Sequence, residues 1–329
     1  VSDAAAPPVG SAELSAGGAK VVIIPALGGK IASLEFGGRK WLWQNPHIPY
    51  HAPEDGASFA EAGDSGGYDE CFPTIAPCTL PTGIGTYGGT PLPDHGELWS
   101  QATTFLLETR PDGMYAESAW RGERLPYRFT RAIFVSNAGH VEMRYAVTND
   151  GDKRMPFVWS AHALLPLTKQ TRIVLPTNAR TRVWSQYGIE LGGPGAELRW
   201  PRVASAGKLL DLSVPEHVAS RFACMLFVDA TTDHVTIEEA DARLEVYFDP
   251  AQVPCVGLWM NKGEWSPFRY RKAYRTLGLE PCIGGAGSLS DAIGAWRSAA
   301  WLEARQTREW TLTWRGSAQS GAGEAGAQE

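Results

Sequence analysis

The chain has 329 residues, 43% of them apolar and 20% charged, and 30 Lys and Arg against 36 Asp and Glu give a formal net charge of −6. That composition excludes a disordered chain, and a mildly acidic protein lacks the basic footprint that nucleic acid or an anionic membrane would want. No apolar run of about 18 residues marks a transmembrane helix, and neither a collagen period nor a sustained heptad is present.

In chain order, residues 1–18 are rich in Ala, Gly, Ser and Pro and read as a flexible leader. They show neither a basic region nor an apolar core of signal-peptide type, so a cytoplasmic location is expected. Strands are predicted at Lys20–Pro25 and Ile31–Phe36, then after Gly37-Gly38 at Lys40–Trp43. Residues 44–94 break the rhythm. They are rich in Gly and Pro, yet carry Tyr50, Phe59, Tyr68, Phe72 and Tyr87. A long aperiodic stretch with this many aromatics suggests an ordered, site-forming loop region.

Strand rhythm returns at Thr103–Thr109, Met114–Arg121, Tyr127–Val135, Val141–Thr148 and Phe157–Leu164, with Gly- and Asn-containing turns between. Further strands are expected at Thr171–Leu175, Thr181–Trp184, Phe222–Val228, His234–Glu238, Leu244–Phe248, Cys255–Met260, Tyr274–Glu280 and Glu309–Trp314. Only Ser288–Trp296 has helix signals, and residues 316–329 read as a disordered tail. Many short strands joined by turns indicate an all-β sandwich or barrel. Neither a fixed repeat nor a composition break divides residues 19–315, which are expected to form a single domain.

The five cysteines are odd in number and show no C-x-x-C spacing, so free thiols are expected rather than a zinc site or a disulfide framework. No Walker A or H-E-x-x-H pattern appears, and Gly285-Ala286-Gly287-Ser288-Leu289 does not fit a nucleophile elbow. The 13 Trp, 10 Tyr and 11 Phe either fill a sandwich core or stack on sugar faces.

Three constellations carry possible chemistry. In Pro93-Asp94-His95-Gly96-Glu97-Leu98-Trp99, His95 stands where loop becomes strand, with acidic neighbours that can set its tautomer; it is equally a turn histidine. Between Met155 and Leu164, alternation places Val158, Ser160, His162 and Leu164 on one face and Phe157, Trp159, Ala161 and Ala163 on the other. Both faces are apolar, so His162 is either a satisfied core histidine or the floor of a cavity. In Tyr274–Cys282, Glu280 ends an apolar strand before Pro281, where desolvation would raise its pKa toward that of a general base; a salt-bridged Glu280 is the plain alternative. Asp69 and Glu70 either bind hydroxyls or cap a turn. Trp99 is a candidate substrate-binding residue, Trp259 a candidate stacking face, and Asp249 and Asn261 are either ligand-binding or turn residues.

Taken in order, these segments resemble the aldose 1-epimerase (galactose mutarotase-like) family. Ile24–Leu34 resembles its opening strand pair and Pro93-Asp94-His95-Gly96 its first His-Gly motif. Asn149–Phe157 followed by Ser160-Ala161-His162 resembles its second histidine segment, and Leu279-Glu280-Pro281 the strand of its catalytic glutamate. The similarity spans about residues 20–315. It implies a large antiparallel β-supersandwich with few short helices, acting on a monosaccharide or sugar derivative with no cofactor and no metal. It also implies roles: Glu280 takes the anomeric hydroxyl proton, His162 protonates the ring oxygen from the opposite side of the ring, and His95 assists. The charge of Glu280 would keep His162 protonated. The chain departs from the family pattern at Gly66–Thr74, where an Arg often reaches the sugar; here Asp69 and Glu70 stand instead. The acidic partner of the C2 hydroxyl has Asp249 or Asn261 as its candidates. The competing functions are a non-catalytic sugar-binding or sensor protein, and a lyase or hydrolase. A hydrolase would need a second carboxylate, such as Asp249 or Asp69, facing Glu280.

Overall fold

The computed structural model describes residues 10–53, 57–60, 65–266 and 274–318. Two antiparallel sheets dominate it. The larger has eleven strands, in the order Ala12–Ala16, Ala19–Ile24, Lys30–Phe36, Tyr68–Cys71, Trp159–Pro166, Arg275–Ile283, Cys255–Lys262, Ala223–Asp229, Arg180–Tyr187 and Glu197–Arg199, with Arg39–Lys40 paired to Lys30–Phe36. The smaller has eight, running from Arg172–Val174 through His234–Glu238, Ala242–Tyr247, Thr307–Ala318, Val141–Asn149, Tyr127–Ser136 and Gly113–Arg121 to Thr104–Arg110. The all-β reading therefore holds. Among the described residues no helix is long and apolar enough to cross a membrane, and all five cysteines are free.

The two sheets bury their strands differently. In Val141–Asn149 alternate residues are fully buried while those between face outward, the signature of a sheet with one wet face. In Trp159–Pro166 every residue but the last is buried, and in Arg275–Ile283 every residue but the first. The large sheet is thus covered twice, on one side by the small sheet and on the other by the Gly/Pro-rich segment. That segment is tied down by His95 N–H to the Ile75 carbonyl, Val158 N–H to Pro73 and Ala76 N–H to Gly287.

The inter-sheet core is aromatic. Tyr145 and Trp310 stack with centroids 5.5 Å apart, Trp159 leans on both, and Phe72 and Phe129 extend the cluster. Within it lies a fully buried ion pair, Arg131 to Glu70 at 3.1 Å. Glu70 also accepts from the Trp159 indole at 2.8 Å, and Arg131 donates to the Gly29 carbonyl.

Several expectations change. Ala12–Ala16, inside the segment read as a leader, pairs with Ala19–Ile24 as an edge strand, and the strand Thr307–Ala318 runs into the segment read as a tail; residues 1–9 and 319–329 lie outside the described set. The strand expected at Lys40–Trp43 shortens to Arg39–Lys40. The helix is only Leu289–Ile293, with Ser288 accepting from the Asp291 N–H as its N-cap, and stops before Gly294. Tyr68–Cys71 is a strand within the stretch read as loop. Gly83-Ile84-Gly85-Thr86-Tyr87-Gly88 has dinucleotide-motif spacing, but it lies over a 3-10 turn at Thr82–Ile84 and the loop after it, with the next element the short strand Pro91–Leu92. It lacks the helix that gives that spacing its meaning.

Removing one partner of a buried ion pair strands the other's charge. Arg131→Ala is therefore expected to lower unfolding stability by roughly 3–5 kcal/mol in urea denaturation, and Glu70→Gln with Arg131→Met to recover most of the loss. Equal losses in the single and double variants would show that the charge pairing is not what matters.

Candidate active site

The pleat decides what reaches the cavity. Pairing runs Ser160↔Cys282 and Ala163↔Leu279, which sets His162 across from Glu280 on the same face. His162 Nε2 lies 3.7 Å from Glu280 Oε1. Ser160, two residues before His162 and so on the same face, donates to Glu280 Oε2 at 3.0 Å. On the far side of Glu280 the neighbouring strand presents Gly257. Gly278, two residues before Glu280, leaves room for its carboxylate: a Cβ there would sit 2.6 Å from Oε1.

His95 arrives from the loop layer. It occupies the left-handed region at φ 58°, followed by Gly96 at φ 73°. A Cβ on Gly96 would lie 2.0 Å from the Phe72 carbonyl oxygen, so glycine is required there. The unfavourable conformation of His95 is held by its surroundings. Its Nδ1–H donates to Asp94 at 2.8 Å, its ring stacks on Phe59 at 3.9 Å, and it meets the His162 ring edge-on at 5.0 Å. Asp94 in turn accepts from Ser58 at 2.8 Å. Trp99 donates its indole N–H to the Asp94 carbonyl, and Glu97 accepts from the Arg124 N–H and the Tyr127 hydroxyl.

A cavity of about 260 Å³ opens over this group. Asp94, His95, His162 and Glu280 line one part; Trp184, Tyr187, Met225, Trp259 and Trp265 line another. Of the residues expected to bind substrate, Trp259 alone lines it. Trp99 supports the His95 loop from behind. Asn261 holds the Trp265 backbone, accepting its N–H at 3.2 Å and donating to its carbonyl at 2.9 Å. Asp249 caps a turn by accepting from the Ala251 N–H, beside Tyr247 and Gln252 and away from the cavity. The acidic pair is split by the pleat: Glu70 points into the core against Arg131, whereas Asp69 shares the His162 face but is bound by Lys30. Asp249 is too far from the cavity to be the second carboxylate that the hydrolase alternative asked for, and Asp69, on the same face as Glu280 two strands away, is paired with Lys30 and does not line the cavity. Trp184 and Met225 were missed in the sequence, although strand alternation around Trp184 carried a signal; Trp265 carried none.

Burial governs the charges. It pushes Glu280 up to about 7, against the weaker pull of the Ser160 hydrogen bond and of His95. It also pushes His162 well below the usual histidine value, helped by the positive fields of His95 and Lys30. The expectation that Glu280 keeps His162 protonated is therefore corrected: desolvation outweighs the ion pair. Burial would raise Asp94 too, but its bonds from His95, Ser58 and the Ala60 N–H prevail and hold it at about 2. Neighbours that close titrate as a unit. Below about pH 7 the pair's proton therefore rests on Glu280, beside a neutral His162.

No protein-family model matches the sequence, and no curated protein matches it. Solved structures do. The Slr1438 protein of Synechocystis sp. PCC 6803 superposes with a TM-score of 0.67 at 15% identity, covering 97% of this chain and 100% of its own. A galactose mutarotase-like protein from Lactobacillus casei ATCC 334 gives 0.64 at 16% identity, over 94% and 100%. The fold is galactose mutarotase-like. A galactose mutarotase related enzyme from Lactobacillus acidophilus shares it at a TM-score of 0.60 and 16% identity, over 94% and 97% of the two chains.

The Glu280 shift sets a stability test. Its carboxyl is raised from 4.5 to about 7, so the folded state binds the extra proton. The benefit is whole below about pH 4.5 and is lost as pH rises to about 7, a change of roughly 3 kcal/mol. Glu280→Gln is expected to unfold at higher urea than the parent at about pH 8, with the difference gone near pH 4. An unchanged or lower midpoint at the higher pH would contradict a strained carboxylate.

Proposed function

We propose that the chain is a cofactor-independent aldose 1-epimerase of the mutarotase type. The observation that carries the reading is the contact of His162 Nε2 with Glu280 Oε1 at 3.7 Å on a cavity floor. Anomer exchange needs one proton removed from O1 and one delivered to O5. Both oxygens are bonded to C1, closer to each other than a hydrogen bond is long. An acid and a base that do this work must therefore converge on one carbon. They need not straddle the ring, and an adjacent pair suits the task better than the opposed pair the resemblance suggested.

One proton on the pair fits both roles. Written on His162 it gives an imidazolium and a carboxylate; written on Glu280 it gives the neutral pair that burial favours. Either way one proton is available for O5 and one basic site for O1. As the O1 proton leaves, the C1–O5 bond breaks and O5 is protonated. The free aldehyde rotates about C1–C2, and reclosure on its other face returns both protons. Each such proton transfer contributes on the order of 10²–10⁴-fold. His95, with Nδ1 engaged by Asp94, keeps Nε2 for a sugar hydroxyl. Ser160 steadies the Glu280 carboxylate.

Saturation-transfer NMR on neutral aldoses tests the reading. Accelerated anomer exchange is expected, falling by about 10²-fold or more in Glu280→Gln and His162→Asn variants that remain folded. The rate should decline with a one-proton slope above about pH 7, as the pair loses its proton, and on the acid side only well below the ordinary histidine range. Binding without exchange would move the protein to a sugar-holding role.

A further inference from the structure

The cavity is longer than one sugar ring, and most of its described lining away from the acid–base pair is apolar. Its floor can be followed residue by residue across five strands of the large sheet. Leu164 pairs with Gly278, Gly278 with Trp259, Trp259 with Met225 and Met225 with Ser185. All but Gly278 line the cavity. At about 4.8 Å per strand, the floor runs some 19 Å from the His162 strand to Arg180–Tyr187. A six-membered ring spans little more than one such step. The acid–base pair lies on the first two strands, so an anomeric carbon seated there leaves the region over Trp259, Met225 and Ser185 for whatever else the ligand carries.

That region is built from interlocking side chains. Trp259 and Trp265 meet edge-to-face at 5.3 Å, and Asn261 pins the Trp265 backbone. Trp184 lies so close over Gly287 that a Cβ there would fall 1.9 Å from its ring, and its indole N–H reaches Asp291 at 3.2 Å. Met225 fills the floor, and Tyr187 stands half-exposed at the rim. Among the described lining residues every charged or imidazole group (Asp94, His95, His162 and Glu280) belongs to the polar end. The hydroxyls offered there are those of Ser185, buried and without a side-chain partner, and of Tyr187 at the rim; a second sugar would bring more hydroxyls than these two can pair, and unpaired buried hydroxyls are costly. An apolar group meets no such cost and gains its transfer energy.

We propose that the substrate is a reducing sugar bearing a large apolar substituent, aromatic or alkyl, on a carbon other than C1, with the substituent lying between Trp184, Met225, Trp259 and Trp265. This rests on the mutarotase reading for its first half and on the aromatic floor for its second. The test compares D-glucose and D-galactose with their 4-O-benzyl and 6-O-benzyl ethers, and with cellobiose and lactose as polar extensions of similar reach. Anomer exchange is read by NMR, and affinity by quenching of tryptophan fluorescence.

At least one benzyl ether is expected to exceed its parent by about tenfold or more in kcat/KM. The ratio of ether to parent should fall toward one in Trp184→Ala and in Met225→Gln, each checked for folding by thermal melt. Parent sugars or disaccharides that match the ethers would overturn the proposal. If no sugar exchanges, the mutarotase reading fails by itself. The quenching data then decide the second half: ethers binding tenfold tighter than parents sustain an apolar-ligand site, and equal binding overturns it.

Discussion

A slip of one residue between Trp159–Pro166 and Arg275–Ile283 would turn either His162 or Glu280 from the cavity into the core. The register between these strands is the constraint on which the site depends. It is enforced from behind. Trp159 must face Tyr145 and Trp310, and the alternation that buries the indole there presents His162 to the cavity and Ser160 to the Glu280 carboxylate. On the partner strand Leu277, Leu279 and Pro281 stand on the face opposite Glu280. The aromatic core thus aligns the catalytic candidates without touching them. The Glu70–Arg131 pair takes part in the same alignment, since Glu70 is the acceptor that holds the Trp159 indole.

Strands with one wet face were legible in the sequence because alternation announces them. Val141–Thr148 and Tyr127–Val135 were placed to within a residue of their observed ends. Where the sheet is buried on both sides, periodicity fades, and turn residues had to mark the ends. Tyr68–Cys71 escaped because it is four residues long, follows two glycines, and carries two acids that a strand centre rarely holds. Those acids are tolerated through Lys30 and Arg131, contacts from distant segments that local pattern cannot foresee.

The site followed the same division. Glu280, His162 and His95 were found as motifs, and the cavity brings them together. The support around them was not legible. Asn261, open between ligand and turn in the sequence, works as a bracket for Trp265; Trp99, expected to bind substrate, braces the Asp94 loop. Both carry the right chemistry for the role first assigned to them. Their direction is set by tertiary contacts. Desolvation likewise reverses the protonation that two neighbouring charges suggest, and depth of burial is written in no local motif.

The order of strands in the large sheet also bears on how the chain assembles. The His162 strand lies between Tyr68–Cys71 and Arg275–Ile283, so one of its neighbours is made early and the other only near the end of synthesis. Until that last partner emerges, an apolar strand waits with one row of backbone donors and acceptors open, the kind of edge that recruits other chains. Closing the sheet is a long-range event of high contact order, and slow for that reason. A nascent or partly unfolded chain therefore exposes an aggregation-prone edge at the place where, once closed, His162 and Glu280 will meet.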